Sequence, residues 1–285
     1  MKQLVTTHNS YWEGKRKTLF DNSTSSRKKG VLRSEAYLTT HYTPEKPVGR
    51  ETEIGEIAEA VRPLTHRHDP NNLIIFGPAG IGKTTCTKYV ITELENQASV
   101  KSVYINCWQY NTRSSLLTEL LIQLGYPAPR KGKSIDALLS KVREWLDKNR
   151  GVAVALDEFD QLDDQTKIIY DLQMINEEAE NPIGLLMVSN QHPTRITLDP
   201  RSQSRLSCKT LEFHSYNAPQ LENILQDRVD KAFRPGTVPK KVVEQIAETV
   251  AENSGDCRKA LTLLLNAGRK ADQEGKNKVT INDIQ

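Results

Sequence analysis

Short apolar runs alternate with longer stretches of mixed polarity over the first three quarters of the chain. Runs rich in Val, Ile and Leu that are too short for helices predict β-strands, and the stretches between them are long enough for helices. Strands that alternate with helices predict a parallel sheet covered on both faces, so the expected fold class is α/β. The predicted strands are 72–77, 100–107, 151–158, 184–190 and 210–216.

The pattern changes near Asn217, after which no strand-like run follows. Helical spacing of apolar residues returns twice, in "KKVVEQIAETVAENSGD" and in "CRKALTLLLNAGRKADQEGK". The sequence therefore predicts a small all-α domain at residues 217–285, after an α/β domain at residues 42–216. Within the α/β domain, "ETEIGEIAEAVRPL" predicts a helix that Pro63 ends.

Residues 1–41 show neither pattern, and their charge sets them apart. This leader holds eight Lys or Arg and three Asp or Glu, a balance of +5 in a chain whose net charge is only +3. With "DNSTSSRKKG" at its centre, it is predicted to be flexible and basic. Such a leader is either a solvated tail or an arm that contacts nucleic-acid phosphates.

Composition excludes several classes of protein. The chain is 37% hydrophobic and 26% charged, as in ordinary globular proteins, and its N-terminus lacks the apolar core of a secretory signal. No apolar run approaches the roughly 18 residues of a membrane span. We therefore expect a cytoplasmic protein without a membrane partner. Four scattered cysteines without a C-x-x-C pair favour reduced thiols over disulfides or a zinc site: Cys86, Cys107, Cys208 and Cys257.

The first chemical motif is a glycine-rich turn between a predicted strand and a predicted helix. Gly77, Gly82, Lys83 and Thr84 fit the pattern G-x-x-x-x-G-K-[ST], in which backbone N–H groups wrap a phosphate. Lys83 is expected to reach the β- and γ-phosphates, and the Thr84 hydroxyl to bind Mg²⁺. A glycine turn that only caps a helix would not explain the lysine. The predicted phosphate loop comprises Gly77, Pro78, Ala79, Gly80, Ile81, Gly82, Lys83, Thr84 and Thr85.

The second motif is a pair of carboxylates at the end of the apolar run "VAVALDE". Alternation along a strand points Asp157 and Glu158 in different directions. We expect Asp157 to contribute to Mg²⁺ binding, and Glu158 to orient and deprotonate a water that attacks the γ-phosphate. An exposed acidic turn is the alternative, but the phosphate loop some 70 residues upstream favours the catalytic interpretation.

Further polar residues follow other predicted strands. Asn190 ends "GLLMVSN" and is a candidate for holding the same water, although it is also a common turn residue. Arg201, Arg205 and Arg258 are candidates for neutralising charge on a transferring phosphoryl group, or are plain surface charges.

The series of motifs resembles the AAA+ ATPases, specifically the archaeal and eukaryotic replication-initiator clade of origin-recognition-complex and cell-division-control-six type. In chain order, the motifs are the phosphate loop, "LDEFD", "SN", "PRSQSRL", "F-x-x-Y" and "GDCRKAL". The resemblance covers about residues 42–285. It implies a P-loop AAA+ parallel sheet flanked by helices and followed by a small all-α lid domain. It further implies that Asn190 is the first sensor of the γ-phosphate, Arg258 the second sensor, and Arg205, ahead of Arg201, the finger presented to a neighbouring subunit.

The same resemblance implies contacts to the base and to DNA. It assigns Val48, Gly49 and Arg50 to the adenine side, with Tyr216 nearby. Family members carry a DNA-contacting helical motif, which would fall in 113–136, where the basic loop "PRKGK" touches phosphates or is simply solvated. They also continue into a winged-helix domain, whereas this chain ends at "VTINDIQ", so we expect either a shortened paralogue or DNA contacts from the ATPase domain alone.

The sequence thus predicts an ATPase that binds ATP or ADP with Mg²⁺ and hydrolyses ATP slowly, as a switch in replication initiation. Its expected partners are double-stranded origin DNA and other AAA+ subunits or a replicative helicase, and its expected location is cytoplasmic and nucleoid-associated. The alternative is a regulatory AAA+ ATPase that controls a protein partner, of transposition or defence type, without DNA binding of its own. A small-molecule kinase is disfavoured, because Glu158 and the lid arginine suit attack by water.

Overall fold

A computed structural model of the protein describes residues 30–40, 42–127, 133–196, 206 and 208–284. The centre is a five-stranded sheet whose strands pair in parallel, in the order β2-β3-β4-β1-β5. All five predicted strands are present. Four of them are shorter than predicted, most of all the last, which ends at Glu212 instead of residue 216. The strands are β1 (Leu73–Phe76), β2 (Lys101–Asn106), β3 (Val152–Asp157), β4 (Ile183–Ser189) and β5 (Lys209–Glu212).

Helices cover both faces of this sheet and form the C-terminal region. Several begin at a residue whose side chain accepts a backbone N–H, as Ser134 does from Ala137 and Asn217 from Gln220. The predicted first helix ends at Val61, and Pro63 lies in the following 3₁₀ turn. The helices are α1 (Glu51–Val61), α2 (Lys83–Gln97), α3 (Arg113–Gln123), α4 (Ile135–Leu146), α5 (Gln165–Glu178), α6 (Ala218–Ala232), α7 (Lys240–Asn253) and α8 (Cys257–Gln273).

Alternate residues of each central strand enter two different hydrophobic clusters. In β1, Leu73 and Ile75 pack on the side of α1 and α2, and Ile74 packs on the side of α3, α4 and α5. Burial on both faces explains why these strands are apolar throughout. The first cluster continues into the helical region, where it includes Leu221 and Leu264. The α/β domain and the lid therefore share one core across the predicted boundary at residue 216.

Part of the predicted leader also packs on this core. Leu32 forms an antiparallel bridge with Phe233, and Arg234 donates its backbone N–H to the carbonyl of Val31 at 2.9 Å. Val31 is buried, which accounts for the attachment of this short segment to the lid helices. The structure thus differs from a flexible leader over residues 30–38, because the apolar residues of "GVLRSEAYL" give it a packing surface. The described helices include none long and apolar enough to cross a membrane.

The four cysteines are free thiols, and burial raises the pKa of each one, to about 12 for Cys86. The described residues contain no cluster of three or more His, Cys, Asp or Glu side chains suited to a metal ion. Cys86 and Cys107 thus act as small buried side chains in this fold, and Cys208 and Cys257 are half-buried.

Candidate functional site

A cavity of about 350 Å³ lies where the carboxyl ends of the strands meet the helical lid. Strands β3, β4 and β1 are neighbours in the sheet, so the residues that follow them converge at one edge. The phosphate loop follows β1, Asp157 ends β3, and Asn190 follows β4. Of the predicted site residues, Val48, Tyr216, Asp157, Glu158, Asn190, Arg258 and loop residues 79–85 line this cavity.

Lys83 is the first residue of α2, and its side chain folds back over the phosphate loop. Its ammonium group donates to the carbonyl oxygens of Gly77 at 2.7 Å and Pro78 at 2.6 Å, and to Asn190 Oδ1 at 3.0 Å. Only 6% of the residue is exposed. The loop therefore holds a buried cation beside the N-terminus of a 15-residue helix, an arrangement suited to an anion.

Burial lowers the pKa of Lys83 to about 8, against the opposing charge of Asp157 and with a further lowering by Arg258. A buried ammonium group loses hydration that nearby carbonyl dipoles replace only in part. An incoming phosphate would supply the missing negative charge, so Lys83 is arranged to gain from an anionic ligand.

Asp157 and Thr84 form the second part of the site. The Thr84 hydroxyl donates to Asp157, with oxygen–oxygen distances of 3.0 and 3.2 Å, and the Tyr104 hydroxyl donates to the same carboxylate. Asp157 is 4% exposed. A hydroxyl and a carboxylate in contact beside a phosphate loop are the hard oxygen ligands that Mg²⁺ prefers, so these residues fit that ion.

Glu158 follows Asp157 with a left-handed backbone, at a φ of 54°. A glutamate rarely adopts this conformation, and residues held in it tend to cluster at functional sites. Its N–H donates to Asp157 Oδ1 at 3.0 Å, and its side chain contributes to the cavity wall. Alternation along a strand was expected to separate the two carboxylates, but β3 ends at Asp157, and Glu158 follows it in a turn that lines the same cavity.

Asp160 positions Asn190. One carboxylate oxygen of Asp160 accepts from the Asn190 backbone N–H at 3.1 Å and from the Ser189 hydroxyl at 3.0 Å. Sequence reasoning missed this role. The available signal was a third carboxylate in the motif "LDEFD", because Asp160 follows Asp157 and Glu158 closely.

The lid closes the cavity by direct contact with the phosphate loop. The backbone N–H of Cys257, at the start of α8, donates to the Gly80 carbonyl at 3.0 Å. A β-carbon at Gly80 would lie 1.9 Å from Asp256 Oδ1, and one at Gly82 would lie 2.5 Å from the Tyr216 hydroxyl. Both glycines also have positive φ, so the loop sequence suits a lid that packs tightly against it. This contact brings Arg258 into the cavity wall.

The residues predicted for the adenine side are divided by the structure. Val48 and Tyr216 line the cavity, whereas Gly49 and Arg50 lie beside it. The Arg50 guanidinium stacks 3.9 Å from the centre of the Tyr216 ring, pairs with Glu53 and donates to the His214 carbonyl. Arg50 thus supports Tyr216 from behind.

Sequence reasoning also missed Tyr42, Tyr104 and Arg228, which lie at or beside the cavity.

Lys133 of the predicted basic loop donates to the Tyr126 hydroxyl at 2.7 Å. Four of the basic residues singled out in the sequence lie outside the described residues. They are Arg130 and Lys131 of the basic loop, and the two candidates for the arginine finger, Arg201 and Arg205.

Fold and site together define the class of protein. Residues 66–195 match the family described as "AAA domain", and residues 222–285 match "Cdc6 AAA+ ATPase-type lid domain". The expected fold, a P-loop AAA+ sheet followed by a helical lid, is confirmed.

Relatives then identify the family. The chain is 33% identical over 276 residues to ORC1-type DNA replication protein 1 of Sulfolobus acidocaldarius, covering 93% of this chain and 69% of that protein. It is 32% identical over 275 residues to the ORC1-type DNA replication protein of Pyrococcus abyssi, covering 92% of this chain and 65% of that protein. The chain belongs to the family of ORC1-type DNA replication proteins, which confirms the family expected from the motifs, and it spans about two thirds of the length of these relatives.

Solved structures agree. The Aeropyrum pernix ORC1 protein, solved in complex with DNA, has a TM-score of 0.78 at 30% identity, covering 89% of this chain and 68% of that one. The Aeropyrum pernix ORC2 protein, solved in ADPNP–ADP complexes, has a TM-score of 0.76 at 22% identity, covering 90% and 71%, and supports the fold alone.

Proposed function

We propose that this protein binds ATP with Mg²⁺, hydrolyses it slowly, and uses the nucleotide state as a switch in the initiation of DNA replication. The observation that carries the proposal is the convergence of Lys83, the Thr84–Asp157 pair and the lid residue Arg258 on one cavity. Phosphate-binding, metal-binding and lid residues meet there, as a nucleotide switch requires.

Each residue has a distinct role in this proposal. Lys83 and the N-terminus of α2 hold the β- and γ-phosphates. Thr84 and Asp157 would hold Mg²⁺, which when bound neutralises charge on the phosphate oxygens. Glu158 accepts the proton of the attacking water, and Asn190, fixed by Asp160, orients that water. Arg258 brings positive charge from the lid, and Arg205, or less favourably Arg201, acts on the nucleotide of a neighbouring AAA+ subunit.

Glu158→Gln tests the hydrolytic part. The amide keeps the shape of the side chain but cannot accept the proton, so ATP affinity should stay within about threefold while phosphate release falls about 100-fold or more. Calorimetry with ATP·Mg²⁺ and a phosphate-release assay measure the two quantities. The matched control is Glu178→Gln, an exposed carboxylate paired with Arg143 outside the cavity, which should leave both unchanged. Undiminished turnover in Glu158→Gln would reject Glu158 as the base.

The DNA-binding part rests on the family. The Aeropyrum pernix ORC1 protein was solved in complex with DNA and aligns with 89% of this chain at 30% identity. We propose double-stranded origin DNA as the first partner, other AAA+ subunits or a replicative helicase as further partners, and the nucleoid of the cytoplasm as the place of action.

Fluorescence anisotropy on labelled duplex DNA, with and without ATP·Mg²⁺ across a salt series, tests this partner. Nucleotide-dependent binding that survives moderate salt supports the initiator function. Binding that disappears with the first salt increment contradicts it and favours an ATPase that controls a protein partner.

A further inference from the structure

One side of the cavity is formed by segments far from the phosphate loop in sequence. We call it the lead-in wall, and we define it by Tyr42, Pro44, Pro47, Val48, Ile224 and Arg228. Three threonines of the same segment also line the cavity: Thr39, Thr40 and Thr43. Its residues are mostly apolar, which suits the faces of a planar ring. Arg228 is the exception, because it places a charge in this wall.

Arg228 is buried and short of hydrogen-bond partners. It lies one helical turn after Ile224 on α6, and only 7% of it is exposed. Its guanidinium lies 4.4 Å from the centre of the Tyr42 ring. Within the described parts of the chain, Nε and Nη1 are buried and make no hydrogen bond, although the Asp227 carboxylate lies 3.4 Å from Nη1.

Other arginine side chains of the described residues are better satisfied. The buried Arg50 also has an unpartnered Nε, but its two Nη atoms have Glu53 and the His214 carbonyl as acceptors, and the half-buried Arg113 has both carboxylate oxygens of Asp171. A buried guanidinium charge that faces a single carboxylate is costly, so its place in a cavity wall indicates that a ligand supplies an acceptor to Nη2, which is not among the enclosed nitrogens.

The phosphate groups are not the best source of that acceptor. Lys83 and the N-terminus of α2 already face them, and Arg258 lies close enough to lower the pKa of Lys83 through its charge. Arg228 instead shares its wall with the apolar side chains of Pro44, Val48 and Ile224. An arginine offers donors only, so its partner must be an acceptor atom, and the apolar neighbours favour an acceptor on the nucleoside rather than on the charged phosphates.

We infer that Arg228 donates a hydrogen bond to an acceptor atom of the nucleoside half of bound ATP, and thereby ties the lid helix α6 to the base or ribose. The inference rests on the proposed ATP binding. The acceptor is either a ring nitrogen of adenine or a ribose hydroxyl, which present the same chemistry to a guanidinium group. Through Arg228, the lid then contacts the nucleoside as well as the phosphates.

The first experiment compares ATP with tripolyphosphate, which keeps the phosphate chain and lacks the nucleoside. Arg228→Met keeps the apolar stem and removes the donors. We expect it to weaken ATP binding about 10- to 100-fold and to leave tripolyphosphate binding within about twofold. Lys231→Met is the matched control, since Lys231 lies on the same helix, pairs with Asp227 and is outside the cavity wall, and it should change neither affinity.

The main result of the second experiment comes from the unaltered protein and does not depend on a stable variant. The unaltered protein is titrated with 1-deaza-, 3-deaza- and 7-deaza-ATP and with 2′-deoxy- and 3′-deoxy-ATP, each of which lacks one acceptor. One analogue should bind about tenfold more weakly, and it should show no such loss with Arg228→Met. A ring analogue would identify the base as the partner, and a deoxy analogue the ribose.

The outcomes separate this inference from the proposed function. Equal weakening of ATP and tripolyphosphate by Arg228→Met, or a set of analogues that all bind the unaltered protein like ATP, would overturn the role of Arg228 while leaving ATP binding in place. Failure of the unaltered protein to bind either ATP or tripolyphosphate would overturn the proposed function and this inference with it.

Discussion

The phosphate loop and the lead-in wall face the same cavity but are built in different ways. The loop comes from one contiguous stretch, residues 77–85. The Lys83 ammonium group holds it by donating to two carbonyls of the loop and to the side-chain oxygen of Asn190. The lead-in wall joins Tyr42 to Arg228. These residues are far apart in the chain and meet only because the segment before α1 packs against the lid helix α6. The proposed phosphate recognition thus depends mainly on one contiguous segment, whereas the proposed recognition of the nucleoside depends on tertiary packing.

The lid contributes one arginine to each side. Arg258 lies at the start of α8 beside the phosphate loop, and Arg228 lies on α6 in the lead-in wall. A nucleotide bound between them would connect the lid to the sheet at both ends. Variants on the two sides should therefore affect ATP and tripolyphosphate differently, and this difference tests the comparison.

The largest effect is expected for Lys83→Ala. It removes the buried ammonium group of the phosphate loop, so affinity for both ATP and tripolyphosphate should fall about 100-fold or more. Calorimetry with each ligand measures the loss. Lys101→Ala is the control, because Lys101 pairs with Glu95 on the surface and should not influence either ligand.

Unchanged affinity of Lys83→Ala for both ligands would reject the phosphate-loop assignment. A loss confined to ATP would contradict the comparison itself, since it would make Lys83 a nucleoside contact. In this variant the loop carbonyls lose Lys83 as a hydrogen-bond donor. Thermal unfolding checks that the domain is still folded.

The next effect follows from the pKa of Lys83, which burial lowers to about 8. Bound phosphate favours the charged amine, so the pKa rises in the complex and binding takes up a proton above pH 8. The affinity for the phosphate ligand is therefore highest below about pH 8. It falls as the pH rises, by up to about tenfold per pH unit. The slope should be measured with ATP, because tripolyphosphate itself loses a proton in this pH range.

Lys83→Arg provides the control for this pH dependence. Its guanidinium stays charged throughout, so its affinity, even if weaker, should be flat between pH 7 and pH 9. A slope that persists in Lys83→Arg would assign the titration to another group.

The same contrast explains what the sequence could and could not predict. The strands, the phosphate loop and the Asp157–Glu158 pair were predictable, because apolar periodicity and contiguous motifs determine them. Arg228 was missed because a lone arginine in a helix is usually a solvated charge. Its spacing from Leu221 and Leu225 puts it on the apolar face of α6, and that signal was present.

The packing that gives this signal its meaning was not predictable. Nothing in the sequence indicates that Tyr42 covers Arg228, or that residues 30–38 attach to the lid, since these contacts join segments about 200 residues apart. Tyr104 was equally hidden, because its hydroxyl reaches Asp157 only through the pairing of β2 with β3.

The smallest effect is expected for Tyr42→Leu, which tests the lead-in wall without removing a charge. The aromatic ring attracts the Arg228 guanidinium and helps to hold it in the wall, and this attraction is worth about 0.5–2 kcal/mol in general. The variant should weaken ATP binding about 3- to 10-fold and leave tripolyphosphate binding unchanged. Tyr42→Phe keeps the ring and should match the unaltered protein within about twofold for both ligands. If Tyr42→Leu instead weakened tripolyphosphate as much as ATP, the two sides of the cavity would be coupled, and the lid would respond to the nucleotide as a single unit.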